Sequence, residues 1–402
     1  MKIGVIVDNE LNNDIRVLRE IKILRDHGHD IFVLCLAFRN GPYRTVEGVI
    51  IKRIRLQRRM KNLLFFFMNL LPVYELIWSD AIKKFINLNG IEALHVSDLY
   101  LAKAAHMGIV KSLKKIFMVL DLHENYPFTV TTYNWTKGFL RHLIAQPEKW
   151  KKKEREYLHY ADKIIVLSSD FRDLLISRYA DLPENSFAVF PNVPDLTQVN
   201  ISAKEPLKNP FNNDYPVLFY YGVIAERRGI FDTIKVFKTL SEEGFPINFL
   251  LIGPVDKKDR KLFNKLISDK NFACCIHHIP WIDFSQFWSW LDICDICIAP
   301  FHKNPQHESG VANKVFDYML GKKPVIVSDC IPQKRLIENY NCGMVFTDQN
   351  DLKEVLKELY SNPLKRKTMG ENGYRAIIYE YNTGIFKDNL LKIYNPVNEQ
   401  TD

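Results

Sequence analysis

Lys314 and Asp317 stand three residues apart in NKVFDYML, so on a helix they project from one face. A polar loop, ESGVA (308–312), leads into that segment, and Gly321 and Pro324 then lead to an apolar run, VIVS. A helix start offers free backbone N–H groups and a partial positive charge, and Lys314 adds a full one. That combination suits a diphosphate. A carboxylate one turn further on can accept hydrogen bonds from both hydroxyls of a ribose. The letters read as a nucleotide-sugar site, although an ordinary helix–strand unit with a surface lysine and aspartate would spell the same pattern.

Such residues need a scaffold that presents loops at one edge. Strand-like runs at 2–7, 30–36, 49–54, 92–97, 116–121, 163–167 and 187–190 alternate with helical patterns at 14–27, 74–87, 99–111, 141–160 and 169–179. A second cycle begins near 216 with PVLFYYG and continues through INFLLIG, CCIHHI, ICIAP and PVIVSD, with helical patterns between. Alternation of this kind predicts parallel sheets covered on both faces, and ligands bound beyond the carboxyl ends of the strands. The fold class expected is α/β, two Rossmann-like doubly wound domains with a cleft between them. The boundaries expected are a first domain at 1–195, a Pro- and Asn-rich linker at 196–215, a second domain at 216–380, and a closing helix at 381–402 that crosses back to the first.

Composition narrows the class. The chain has 402 residues, 47% of them apolar and 25% charged, which fits large globular cores. A formal charge of +8 favours nucleic acid, an anionic surface or a phosphate-bearing substrate. Nucleic acid fits poorly, because the densest basic cluster adjoins apolar residues. That cluster, IKRIRLQRRMK, precedes LLFFFMNLLPVYELIW, so residues 52–78 read either as an interfacial membrane anchor or as a charged edge strand followed by a kinked core helix. No apolar run reaches the ~20 residues that a bilayer span requires. The seven cysteines are an odd number, and no secretory leader pattern opens the chain, so free thiols in the cytoplasm, with an inner-membrane-face location as the variant reading, are expected. Cys274, Cys275, Cys294 and Cys297 lack the spacing of a zinc set.

Four stretches, in order, resemble the GT-B glycosyltransferases, in particular glycosyltransferase family 4 (glycosyl transferases group 1). They are DNELNNDIRVLREIKILRDHGHDIFVLCL, DLHENYP (121–127), YYGVIAERRGIFDTIKVF, and IPWIDFSQFWSWLDICDICIAPF followed by NKVFDYMLGKKPVIVSD. The resemblance implies a retaining transfer of a sugar from a nucleoside diphosphate sugar to a glycan or lipid-linked acceptor, without metal or other cofactor; no Asp-x-Asp motif is present. It implies catalytic roles for His123, Glu124, Arg228 and Lys314. On the donor side it implies Arg227, Gly310, Val311, Asn313, Asp317 and Trp281, with either Glu308 or Ser309 replacing the family's first acid. On the acceptor side it implies Asn12, Asn13, Arg16 and Asp121. Rival readings are a GT-B sugar-nucleotide epimerase or hydrolase and a non-catalytic sugar-nucleotide binding protein. A nicotinamide enzyme fits poorly, since no G-x-G-x-x-G follows a strand.

Overall fold

The computed structural model describes residues 1–12, 14–39, 43–133, 136, 138–199, 207–272 and 274–394. The chain divides into two units: Met1–Pro191 together with the residues from Phe386 onward, and Asn192–Ile385. The first boundary thus falls at 191 rather than at 195.

The first unit carries a sheet of seven parallel strands. They are β1 (Lys2–Ile6), β2 (Asp30–Ala37), β3 (Val49–Arg55), β4 (Ala93–Ser97), β5 (Phe117–Asp121), β6 (Lys163–Val166) and β7 (Phe187–Val189). Their order is β3-β2-β1-β4-β5-β6-β7, so the winding reverses between β1 and β4. The second unit holds β8 (Val217–Tyr221), β9 (Asn248–Ile252), β10 (Ile276–Ile279), β11 (Ile296–Ala299), β12 (Val325–Ser328) and β13 (Gly343–Phe346). Here the order is β10-β9-β8-β11-β12-β13, also parallel, and the reversal lies between β8 and β11. The central strands read as near-continuous apolar runs because both faces of each sheet are covered there, whereas the edge strands β3 and β10 are partly exposed.

One face of the first sheet packs on Trp78, Ile82 and Phe85 of the helix Val73–Asn89. The other packs on Val17, Ile21 and Leu24 of the helix Ile15–Asp26. Leu390, Leu391, Ile393 and Tyr394 of the helix Thr383–Tyr394 join this second core, and Asn389 donates to the Val189 carbonyl at 3.1 Å.

Two segments differ from the periodic pattern for local reasons. The stretch expected as a kinked helix is two helices, Arg58–Phe66 and Val73–Asn89, with Pro72 capping the second. The single helix expected at 141–160 is likewise two, Phe139–Ala145 and Lys149–Leu158, parted at Gln146 (φ 42°) and Pro147. The helix Ile331–Tyr340 and strand β13 were not anticipated; GMVF is too short for periodicity to show.

Candidate functional site

In each unit the chemistry-bearing side chains lie where the strand order reverses, at the carboxyl ends of the strands. In the first unit, Asp8 follows β1, Asp98 follows β4, and Asp121 ends β5 with His123 just beyond.

Asp121 is fully buried and held by three groups. Arg16 grips it with two hydrogen bonds, Nη2 to Oδ1 at 2.6 Å and Nε to Oδ2 at 3.0 Å. His123 donates Nε2–H to Oδ2 at 2.7 Å. Arg16 also reaches Glu20 at 3.2 Å and the Phe190 carbonyl at 3.0 Å. His95, on β4, places Nε2 3.3 Å from Glu20 and 3.8 Å from Asp121, while its Nδ1 meets the Tyr394 hydroxyl at 2.6 Å. Burial alone would raise the Asp121 pKa, but the Arg16 charge and then His123 hold it well below the carboxylate range. Burial likewise opposes protonation of His123, yet the Asp121 and Asp98 charges push it up to about 10. His123 is therefore an imidazolium at neutral pH. It donates to Asp121, and its Nδ1 faces Asp98.

A pocket of about 340 Å³ opens beside this histidine, lined by Phe65, Asp98, Tyr100, Glu124, Tyr126 and Tyr133. Asp98 has φ +74°, a strained value for a side-chain-bearing residue, and such strain clusters at working sites. Its carboxylate accepts from Tyr100 at 2.9 Å and lies 3.8 Å from His123 Nδ1. Glu124 accepts from the Tyr133 hydroxyl at 3.0 Å, and burial, then the Asp98 charge, push it up to about 7. Asp8 pairs with Lys61 at 2.8 Å and accepts from Tyr74.

In the second unit, Lys314 occupies the first turn of the helix Asn313–Leu320, which starts at Ala312 with no side-chain cap. Its ammonium lies 3.8 Å from the Tyr220 ring centroid and 5.3 Å from that of Phe301. Arg228 packs on the same Phe301 ring at 4.9 Å, and its Nε is buried without a partner. Two glycines allow the approach. A side chain at Gly222 would meet the Lys314 ammonium at 2.7 Å, and one at Gly229 (φ +71°) would run into the Pro300 carbonyl at 1.7 Å. Burial and then Arg228 hold the Lys314 pKa well below its usual range; burial and then Arg227 lower Arg228 only in part. Asp317 is half-buried on the same helix, and burial pushes it up to about 7 against the pull of Lys314.

The loop before that helix holds Glu308 and Ser309 in different surroundings. Ser309 is buried and donates its hydroxyl to the Gln306 carbonyl at 2.6 Å, so that group serves the turn. Glu308 keeps Oε1 buried without a partner, while Oε2 accepts from Ile331 N–H at 3.3 Å. Gly310 and Val311 are half-buried between them and the helix.

The structure brings together Asp121, His123 and Glu124 in one unit, and Arg228, Lys314 and Asp317 in the other. Others lie elsewhere. Arg227 is exposed and paired with Asp256 at 2.9 Å, so it does not join Arg228 on Phe301. Arg16 is consumed inside the buried network and has a positioning role, not a ligand-binding one. Asn12 accepts at its side-chain oxygen from the Arg44 backbone N–H at 3.1 Å. Asn13 lies outside the described residues; Asp14 caps the helix Ile15–Asp26 by accepting from Val17. Trp281 is 74% exposed, and Asn313 is also exposed. Sequence reasoning missed Asp98, Tyr100, Tyr220, Phe301, Glu20 and His95. Only the position of Asp98 at a strand end could have signalled it.

Among the described residues, one carboxylate–imidazole set, Glu20, His95 and Asp121, converges tightly enough to hold a metal ion. The Arg16 guanidinium already contacts both of its acids and supplies the positive charge there. The cysteines expected as thiols are free, with Cys294 donating to the Trp290 carbonyl at 3.1 Å.

Comparison with known proteins gives two family matches. The model described as Glycosyltransferase Family 4 matches residues 15–198, and that described as Glycosyl transferases group 1 matches residues 202–376. The capsular polysaccharide biosynthesis glycosyltransferase CapM of Staphylococcus aureus is 23% identical over 189 residues, 46% of this chain and 47% of that protein. An uncharacterized glycosyltransferase of Methanocaldococcus jannaschii is 28% identical over 233 residues, covering 55% and 57%. The chain thus spans about half the length of the curated relatives it matches. Among solved structures, sucrose-phosphate synthase of Thermosynechococcus elongatus superposes with a TM-score of 0.74 at 14% identity, over 98% of each chain. Anabaena HepE in complex with UDP gives 0.71 at 12% identity, over 99% of this chain and 100% of that one.

Proposed function

The chain is a GT-B-fold protein resembling glycosyltransferase family 4 along both halves, and from that premise we propose that it transfers a sugar from a nucleoside diphosphate sugar to a glycan or lipid-linked acceptor, with retention and without a metal. The observation that carries this reading is the pair Arg228 and Lys314. Among the described residues neither has a carboxylate within ion-pair distance, and both rest on one aromatic ring beside an uncapped helix start. Burial and then the Arg228 charge lower the proton affinity of Lys314, and a bound pyrophosphate relieves that cost.

In this reading the second unit holds the donor. Arg228, Lys314 and the free N–H groups near Asn313 take the leaving diphosphate, doing what a divalent ion does in other transferases. Asp317 accepts from the ribose hydroxyls. Glu308, with its unpaired oxygen, accepts from the sugar. The first unit serves the acceptor. His123, fixed by Asp121, donates to a sugar hydroxyl, and Glu124 accepts from a second hydroxyl of the acceptor, which orients the attacking one. The acceptor oxygen attacks the anomeric carbon on the face that the phosphate leaves. The departing phosphate oxygen takes the acceptor's proton, and the ring passes through an oxocarbenium-like state.

The complex of Anabaena HepE with UDP supports uridine diphosphate as the leaving group. The relation to CapM supports a role in polysaccharide biosynthesis. The test is a thermal-shift series with UDP, GDP and their sugars. A nucleotide that binds the folded state raises the melting point by mass action. The rise should vanish in Lys314→Met with the unliganded melting point retained. An undiminished rise in that variant removes the lysine from the donor site. Sugar release in the absence of any acceptor would favour the epimerase or hydrolase alternative.

A further inference from the structure

Among the described residues, no helix is long and apolar enough to cross a membrane. Yet the first unit exposes apolar side chains in an ordered arrangement. On the short helix Phe139–Ala145, Phe139 is 85% exposed, Leu140 70% and Leu143 60%. At offsets of zero, one and four these share one side of the helix. On the helix Arg58–Phe66, Met60 and Leu63 are exposed at a spacing of three, again one side. Leu70 and Leu71 are exposed in the connection that follows, and Val73 at the start of the next helix.

The two segments are fastened to each other at Asn69. Its amide donates to the Ala145 carbonyl at 2.6 Å and its side-chain oxygen accepts from Lys153 at 2.7 Å. The connection at 70–72 is therefore held next to the end of the helix Phe139–Ala145. Residues 58–76 and 138–153 contain eight Lys or Arg against two acids, and one of those acids, Glu75, is buried. Arg59, Arg141, Lys149 and Lys152 are exposed. A core-facing role is excluded for these apolar groups, and a lone exposed leucine would need no explanation, but a rimmed group on two linked helices does.

We infer that this surface seats on an anionic lipid bilayer. The apolar side chains enter the boundary between headgroups and acyl chains, and the basic rim meets the negative headgroups. The alternative for residues 52–78, a charged edge strand followed by a kinked core helix, holds for β3 and for Val73–Asn89, which buries Tyr74 and Trp78, but not for Arg58–Phe66, none of whose residues is fully buried. The contribution of Phe139–Ala145 was not visible at all in the apolar stretch at 63–78. The inference does not depend on the proposed transfer reaction, since lipid binding is read without substrate.

The test is co-sedimentation of the full chain with vesicles of phosphatidylcholine alone and of phosphatidylcholine mixed with phosphatidylglycerol. The chain should pellet with the anionic vesicles and be released by salt. Leu140→Glu combined with Leu143→Glu should lower partitioning roughly tenfold or more, and Arg141→Glu with Lys152→Glu by a similar factor. Melting curves matching the parent show that both variants are folded, as expected for exposed positions. Failure of the parent chain to pellet with anionic vesicles overturns the inference. So does equal pelleting of parent and variants. A concentration-dependent dimer that Leu140→Glu with Leu143→Glu abolishes, without vesicle binding by the parent, would assign the surface to a second copy instead.

Discussion

Arg228 and Lys314 share one aromatic support: the guanidinium carbon lies 4.9 Å and the ammonium 5.3 Å from the Phe301 ring centroid. The ring holds two cations near each other without neutralising either. His307 stacks on Phe301 as well, at 4.6 Å, and burial, partly opposed by its hydrogen bond to the His302 carbonyl, keeps it neutral at about 4. It therefore adds no third charge to the pair.

At a pH between the lowered pKa of Lys314 and its ordinary one, nucleotide binding should take up protons. Lys314 is held well below its ordinary pKa by burial and Arg228, and an arriving diphosphate restores it. Titration calorimetry in buffers of different ionisation enthalpy should show net proton uptake, which Lys314→Met removes. Uptake that persists in the variant would place the titrating group elsewhere. The sign for stability follows the same logic. The folded state binds fewer protons than the unfolded one between the two pKa values, so without ligand this lysine makes stability rise with pH across that window.

Glu308 and Ser309 should separate cleanly. Glu308→Gln removes a charge with an unpaired buried oxygen, so donor affinity is expected to fall about tenfold, roughly 1.4 kcal/mol. Ser309→Ala removes a turn hydrogen bond and should cost about 1 kcal/mol of stability with donor affinity unchanged. Donor titrations and melting curves of the two variants check this. The reverse pattern would make Ser309 the sugar contact.

His123 should stabilise the fold most strongly in acid-to-neutral solution. Its folded pKa is about 10 against an unfolded value of 6.5, so its contribution is complete below 6.5 and is lost as pH rises through 10. Relative to His123→Gln, the parent chain should lose on the order of 3 kcal/mol of advantage across that interval. Denaturant unfolding at pH 6 through 10 reads it. A pH-independent difference would mean that Asp121 and Asp98 do not hold the proton.

Glu124 should set a limb of the pH–rate profile near neutrality. With its pKa raised to about 7 by burial and then Asp98, it ionises there, and turnover that needs the carboxylate should rise through about 7. Asp317, also near 7, should act through the donor KM instead. Glu124→Gln is expected to lower kcat/KM for the acceptor and flatten that limb. An unchanged limb would point to Asp317.

Much of this was legible from residue order because parallel sheets make apolar runs, and loops after such runs carry ligand groups. Lys314 and Asp317 needed only helical spacing. Arg228 needed a glycine that frees the backbone, and Gly229 does so against Pro300. What sequence could not supply was convergence between distant elements. Phe301 looks like one more aromatic after a strand, and His95 like a polar residue misplaced within one, until Glu20, Asp121 and Tyr394 arrive around it. Arg16 was misread for the same reason: a cation near a loop resembles a ligand group until its carboxylate partner, 105 positions later, is seen. Nor does spacing encode the direction of the Ser309 hydroxyl, which donates to the Gln306 carbonyl.

Tyr394 has a consequence for biogenesis. It closes the hydrogen bond of a buried histidine on β4, and its neighbours Leu390 and Ile393 fill a hydrophobic slot against β1 and the helix Ile15–Asp26. During synthesis that slot stays open while residues 192–385 are made, so the second unit can complete itself before the first one does. A recombinant fragment ending near 191 would expose the same gap, whereas one carrying the last helix spliced on by a short tether should fold.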